Sequence, residues 1–296
     1  MRVFVTGAAG FVGTTVTREL LAHGHTVVGL ARSDANAAAL TAAGAEVHRG
    51  SLEDLESLRS GAAKSDGVIH LAFVHDFSKF AENGQVDKRA IEAMGTVLEG
   101  SNRPLIVTSG TALLAPGRLA TEEDVALGGN GIPRVSEAAG FAFATRGVRV
   151  SAVRLSPTVH GDGDKGFVPM LIAIAREKGV SAYIGDGMNR WSAVYRPDAA
   201  TLYRLVLEKG VSGARYHGVG EEGVRFKDIA TVIGRRLNLP VVSKSPAEVG
   251  EHFGWFTMFA GIDAPASSKW TQETLGWKPK GPGLLADLDR PAYFAG

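Results

Sequence analysis

Arg2-Val3-Phe4-Val5-Thr6-Gly7-Ala8-Ala9-Gly10-Phe11-Val12-Gly13 decides how this chain is read. Arg2–Thr6 is a short run of β-branched and aromatic residues that predicts a strand, and a helical pattern begins at Phe11. Three glycines lie between and within them, each suited to a separate task. Gly7 allows a tight turn, Gly10 lets the backbone approach a pyrophosphate, and Gly13 lets the helix pack closely on the strand. The helix N-terminus then presents free N–H groups and the positive end of its dipole to the phosphates. Gly7, Ala9, Gly10, Phe11 and Val12 are the candidate residues for that contact.

Outward from this turn the first half of the chain alternates strands with helices. Strands are expected at Arg2–Thr6, Thr26–Ala31, Glu46–Arg49, 67–72, 104–109 and 148–155. Helices are expected at 11–23, 34–43, 53–63, 79–100 and 134–146. Runs such as Val27-Val28-Gly29-Leu30 and Leu105-Ile106-Val107 are continuously apolar, as strands covered on both faces are. The alternation implies βαβ crossovers and a parallel sheet. After Ser156 the rhythm loosens. Gly161-Asp162-Gly163-Asp164 and Gly185-Asp186-Gly187 are turn-like, while a helix at 197–208 and a strand at 214–219 are expected to return to the sheet. Phe226–Leu237 is an amphipathic helix, and the remainder is irregular and proline-marked. The expected division is a dinucleotide-binding domain of residues 1–156 and 197–219, with a second, smaller domain of 157–196 and 220–296.

Composition removes several classes. The 296 residues are 45% hydrophobic with a net charge of +1, which excludes a disordered chain and argues against nucleic-acid binding. The absence of cysteine excludes a disulfide scaffold, a thiolate metal site and a thiol nucleophile. The longest apolar runs, such as 170–175, fall far short of the ~20 residues of a membrane span, and no targeting segment is visible. A cytoplasmic protein with no membrane partner is therefore expected. There is no Gly-x-Ser-x-Gly elbow, no Gly-x-x-x-x-Gly-Lys-Ser/Thr loop and no His-Glu-x-x-His pair, and no metal site is assigned.

The end of the second strand bears on the cofactor. An acid there holds the ribose 2′-OH in NAD sites, yet this chain reads Leu30-Ala31-Arg32-Ser33, with no acid before Asp34. Arg32 suits a charge-assisted contact to a 2′-phosphate, and Ser33 adds a hydroxyl, so NADP(H) is favoured over NAD(H).

The 6–13 turn, Asp66-Gly67-Val68-Ile69-His70-Leu71-Ala72, Val107-Thr108-Ser109 and Val153-Arg154-Leu155-Ser156-Pro157-Thr158-Val159-His160-Gly161 stand in an order that resembles the extended short-chain dehydrogenase/reductases. That group contains the NAD-dependent epimerase/dehydratase-like proteins. Gly185-Asp186-Gly187 with Arg190 and Asp198 is similar to its substrate-domain signature. The resemblance implies an α/β, doubly wound parallel (Rossmann) sheet with a smaller C-terminal substrate domain roofing a cleft. It also implies a homodimer. By the same resemblance Leu71, Ala72, Thr108, Pro157, Thr158 and Val159 lie along the cofactor.

The chain departs from the family at the catalytic pair. Members use Tyr-x-x-x-Lys on the helix after the fifth strand, whereas the tyrosines here are at 183, 195, 203, 216 and 293, none with lysine four residues on. Ser109 and Thr111 match the family's hydroxyl position and are candidates to hydrogen-bond the reacting oxygen. His75, with Asp76 beside it, is a candidate to exchange a proton or touch substrate from the loop after the fourth strand. Arg134 offers positive charge near the nicotinamide ribose. His160, Arg190 and Trp191 are candidates for the substrate wall. The expected activity is NADP(H)-dependent hydride transfer to or from a carbonyl group of a small molecule, the partner being a carbonyl or alcohol substrate. The alternatives are a nucleotide-sugar epimerase or dehydratase, and a non-catalytic NADP(H) sensor.

Overall fold

The structure, a computed structural model, describes residues 1–74, 76, 79–112, 114–125 and 135–295. Its first half runs β1 (Arg2–Thr6), α1 (Phe11–Ala22), β2 (Thr26–Ala31), α2 (Asp34–Ala42), β3 (Glu46–Arg49), α3 (Leu55–Ala63), β4 (Gly67–His70), α4 (Phe80–Leu98), β5 (Pro104–Gly110), α5 (Ser136–Phe141) and β6 (Arg149–Leu155). The chain continues with β7 (Thr158–His160), α6 (Phe167–Lys178), β8 (Ser181–Ile184), β9 (Arg190–Tyr195), α7 (Arg196–Lys209), β10 (Arg215–Gly218), β11 (Glu221–Arg225) and α8 (Phe226–Leu237). It closes with β12 (Val241–Lys244), α9 (Val249–Phe253), α10 (Thr257–Gly261), α11 (Lys269–Leu275) and α12 (Leu284–Leu288).

Seven strands form one parallel sheet in the order β10-β6-β5-β4-β1-β2-β3. Strand order reverses at β1, which pairs with both β2 and β4, and this reversal opens a crevice at the carboxyl edge. Side chains alternate across the sheet. Val3, Val5, Val27 and Ile106 join one core with Val16 and Leu20 of α1 and Tyr203 and Val206 of α7. Phe4, Val28, Leu105 and Val107 join the other with Leu58, Ile91 and Met94. Two covered faces are why these strands read as unbroken apolar runs. At roughly 1.5–3 kcal/mol per fully buried large apolar side chain, these layers dominate the favourable side of folding.

A third core lies beyond the sheet's carboxyl edge. β7 and β9 pair in parallel and β9 and β11 antiparallel, while β8 pairs with β12. Trp191, Phe226, Phe253 and Phe256 fill the space between them and α6 and α8. None of these short strands is visible in the sequence rhythm after Ser156, because each is completed by a partner distant in the chain. Other boundaries shift. β4 ends at His70, not at Ala72. The helix expected at 134–146 is, among described residues, α5 followed by a 3-10 turn at Ala144–Arg146; Gly147, at φ 76°, then turns the chain into β6. α3 starts at Leu55 because the Asp54 side chain accepts from Ser57 N at 3.1 Å. Among the described residues no helix is long and apolar enough to cross a membrane.

Candidate dinucleotide and substrate site

The turn between β1 and α1 is closed by Gly10 N donating to Gly7 O at 2.9 Å. Gly7 takes φ 68°, and a Cβ there would stand 2.8 Å from Ala72 N. A Cβ on Gly13 would fall on the Gly7 carbonyl oxygen, so this helix can approach its strand only with glycine there. No side chain caps α1, which leaves its first N–H groups, at Phe11 and Val12, facing outward for an anion. These features fit a dinucleotide pyrophosphate. Arg196, absent from the sequence-based candidates, adds charge here: its guanidinium lies 4.4 Å from the Phe11 ring centroid and Nη1 donates to Phe11 O at 3.3 Å.

At the end of β2, Arg32 is exposed. Ser33 Oγ accepts from Asn36 N at 3.2 Å and so caps α2, which leaves its O–H to donate outward. Asp34 Oδ1 accepts from Arg49 Nη2 at 2.7 Å, so the nearest following acid is turned to a cation.

The floor of the crevice is fixed by a buried polar chain. Leu71 N donates to Thr6 O at 3.3 Å and Ala72 N to Thr6 Oγ1 at 3.3 Å. Thr6 Oγ1 is 2.7 Å from His70 Nδ1, and His70 Nε2 is 2.9 Å from Asp87 Oδ1. Ser136 Oγ donates to Asp87 Oδ2 at 2.5 Å. His70 thus bridges Thr6 and Asp87 beneath the crevice. Thr108 Oγ1 donates to His70 O at 2.7 Å, which makes Tyr203 Oη, 2.8 Å away, the donor to Thr108. The Thr108 hydroxyl is thus held within the protein.

Ser109 is buried beside the Glu137 carboxylate. Glu137 receives Arg154 Nε at 2.7 Å and Nη2 at 2.8 Å, with Arg215 Nε at 3.2 Å. Burial pushes the Glu137 carboxyl up, but the Arg154 hydrogen bonds and charge, helped by Ser109 and Arg215, hold it below its ordinary value. Thr111 is buried, its Oγ1 3.1 Å from Ser192 Oγ. Ser109 and Thr111 therefore share the carboxyl end of β5, Thr111 within hydrogen-bonding distance of Ser192. Asp76 is exposed, and its carbonyl accepts from Asn83 Nδ2 at 2.8 Å. His75 and Arg134 lie outside the described residues.

The segment after β6 lines the same edge. Pro157 and Val159 are half-buried, and Thr158 Oγ1 donates to Ser192 O at 2.8 Å. His160 is placed inside the protein, not on a cleft wall: Nδ1 is 2.9 Å from Asp287 Oδ2, itself buried. Trp191 is likewise internal. It is fully buried against Phe226, with centroids 4.9 Å apart, and Nε1 donates to Phe259 O at 3.1 Å. Its ring has no free face for a substrate, because β9 alternation sends it away from Arg190 and Ser192. Arg190 is half-exposed and forks onto Asp263, Nε to Oδ1 at 3.0 Å and Nη2 to Oδ2 at 2.8 Å.

Sequence reasoning missed Asp87, Glu137, Arg196, Tyr203 and Asp263. Asp87 alone left a readable trace. It shares the buried face of α4 with Ala90, Ile91, Met94 and Leu98, so it is a carboxylate standing in an apolar helical stripe.

A model of the NAD dependent epimerase/dehydratase family matches residues 3–123. An uncharacterized protein of Schizosaccharomyces pombe is 55% identical, over 99% of this chain and 100% of its own length. The 4-hydroxy-2-methyl-3-oxo-4-farnesyl-3,4-dihydroquinoline-1-oxide ketoreductase of Stigmatella aurantiaca is 26% identical, over 90% of this chain and 84% of its own. In fold the chain is similar to dTDP-glucose 4,6-dehydratase from Streptomyces venezuelae, solved with NAD bound. The TM-score is 0.77 at 20% identity, covering 99% of this chain and 97% of that one. The chain belongs to the NAD dependent epimerase/dehydratase family, within the extended short-chain dehydrogenase/reductases. That membership places it among NAD(P)-dependent oxidoreductases and epimerases.

Proposed function

We propose that this protein is an NADP(H)-dependent reductase or dehydrogenase that exchanges hydride with the carbonyl carbon of a small molecule. The observation that carries the reading is the end of β2, where Arg32 is exposed beside a free Ser33 O–H while Asp34 is drawn to Arg49. A 2′-phosphate would find a guanidinium and a hydroxyl donor there, whereas a bare ribose diol would find no unpaired acid. The Stigmatella aurantiaca relative is a ketoreductase, which supports carbonyl chemistry.

NADPH, when bound, supplies the hydride. The 7–13 turn holds the pyrophosphate through backbone N–H groups, and Arg196 adds charge beside Phe11. Ser109 and Thr111 present hydroxyl oxygens at the carboxyl end of β5, where a substrate oxygen would lie. A serine hydroxyl is a poor acid by itself, so the proton comes from elsewhere, with His75 or a water as its source.

The test is NADPH consumption against a broad carbonyl panel, with NADPH affinity measured in parallel. Tight NADPH binding without turnover of any carbonyl would overturn the reading in favour of a sensor. NAD retained through purification would favour an epimerase or dehydratase. Ser109→Ala is expected to bind NADPH as the wild type does and to lose about a hundredfold in turnover.

A further inference from the structure

We propose that Asp263 is a specificity residue. By closing on Arg190 it makes the outer wall of the substrate cleft electrically neutral, so the protein selects an uncharged carbonyl compound with an apolar tail over an anionic one. The inference rests on the carbonyl reading above only for the identity of the reacting group.

Position comes first. Arg190 and Ser192 share one face of β9, and Ser192 Oγ is 3.1 Å from Thr111 Oγ1. Arg190 therefore stands two residues, about 7 Å, along β9 from the buried Ser192 that meets Thr111, and its side chain reaches solvent. Next is the clamp. Asp263 Oδ1 accepts from Arg190 N at 2.7 Å and from Nε at 3.0 Å, and Oδ2 accepts from Nη2 at 2.8 Å. The backbone holds both partners in register, with Ala264 N donating to Arg190 O at 2.7 Å and Gly117 N to Asp263 O at 3.0 Å. The Arg190 guanidinium holds the Asp263 carboxyl below its ordinary value, so the pair stays ionised at neutral pH. A carboxylate or phosphate arriving at Arg190 would meet a like charge and would have to displace a bidentate fork.

Arg225, paired with Asp228, stands opposite Arg190 on β11, and exposed apolar side chains follow on the neighbouring turn and α10. Trp255 is 58% exposed, Met188 50% and Met258 49%. Asn189 Nδ2 donates to Ala260 O at 2.9 Å and Ile262 O at 3.1 Å, which sets the Met188 turn against the α10 segment that carries Met258. Trp255 is exposed beside α10, its ring centroid 6.3 Å from that of Phe259. Exposed large apolar side chains gathered beside a neutralised cation suit a hydrocarbon tail.

The test measures equilibrium binding, with saturating NADP+ and no turnover, of 2-decanone and of 9-oxodecanoate, which differ only in the terminal methyl or carboxylate. Wild type is expected to bind 2-decanone about tenfold more tightly or better. Asp263→Asn frees Arg190 and is expected to shift the ratio toward 9-oxodecanoate by about tenfold, and adding Arg190→Met should cancel that gain. Equal or tighter binding of 9-oxodecanoate by wild type, binding of neither ketone, or an unchanged ratio in folded Asp263→Asn overturns the proposal. Trp255→Glu and Met258→Glu alter exposed side chains and test the rim should Asp263→Asn fail to fold. Each should weaken 2-decanone about tenfold, and unchanged affinity in both is equally fatal. Selective ketone binding without NADPH consumption against any carbonyl would sink the reductase reading while leaving this one standing.

Discussion

Arg154 meets Glu137 fork to fork, Nε to Oε1 at 2.7 Å and Nη2 to Oε2 at 2.8 Å, and so ties β6 to α5 directly behind Ser109. Arg154 is fully buried, so removing its counter-charge strands a cation in the protein interior. Glu137→Gln is expected to cost roughly 3–5 kcal/mol at pH 7, read by urea unfolding. The carboxyl sits below its ordinary 4.5 in the folded state. Its contribution is therefore present above that value and lost as pH falls through the folded value. The gap between variant and wild type should narrow correspondingly in acid. A Glu137→Gln protein as stable as wild type at pH 7 contradicts the assignment.

Arg32→Ala addresses cofactor choice. The side chain is exposed, so folding should survive. NADPH affinity is expected to fall about ten- to a hundredfold, the scale of a charge-assisted contact, with NADH affinity unchanged. Equal losses for both cofactors, measured by titration calorimetry, would place Arg32 away from the 2′-phosphate.

Two glycines of the cradle should respond unequally. A Cβ at Gly10 would lie 3.1 Å from Gly7 O, a contact that a small shift relieves. At Gly13 the added carbon coincides with that oxygen, and the turn has to open. Gly13→Ala is expected to lower NADPH affinity by about tenfold more than Gly10→Ala does. The reverse order in the same binding assay would mean that the helix does not rest on the turn as described.

Asp164 carries a pH signature of opposite sign. Burial, foremost, with the Asp287 charge behind it, pushes this carboxyl from 3.8 up to about 6, against hydrogen bonds from Gly166 N and Tyr293 Oη. A raised folded value means that stability is fully present below 3.8 and is lost as pH rises through about 6. Asp164→Asn removes that loss. Relative to wild type, the variant should gain up to about 2 kcal/mol between pH 4 and pH 7.5, followed as Tm at both pH values. A difference that does not change with pH would show that Asp164 titrates normally.

The sheet was largely legible because its signals are local. Val27-Val28 and Leu105-Ile106-Val107 announce strands with two covered faces, and those residues do divide between the two cores. Gly7 and Gly13 are legible for a similar reason, since their constraint is set by atoms within the same turn or the strand beside it. The β7-β9-β11 sheet left no comparable trace, since strands of three to six residues acquire their meaning only from a partner. The surroundings of the site depended on such encounters too. Asp87 broke an apolar helical stripe and was readable in principle, whereas Tyr203 under Thr108 was not.

By itself, then, the sequence determined that this chain builds a parallel dinucleotide-binding sheet, and that the phenol and lysine used by its family are missing from their usual helix. The physical basis is that hydrophobic period, turn sterics and the presence or absence of a residue type are properties of contiguous chain. Tertiary structure alone decided which charges face each other. Arg190 and Asp263 stand 73 residues apart in sequence and within hydrogen-bonding distance in space, and Arg154 of β6 meets Glu137 of α5. Electrostatic pairing depends on distance through space, which only the packed chain defines.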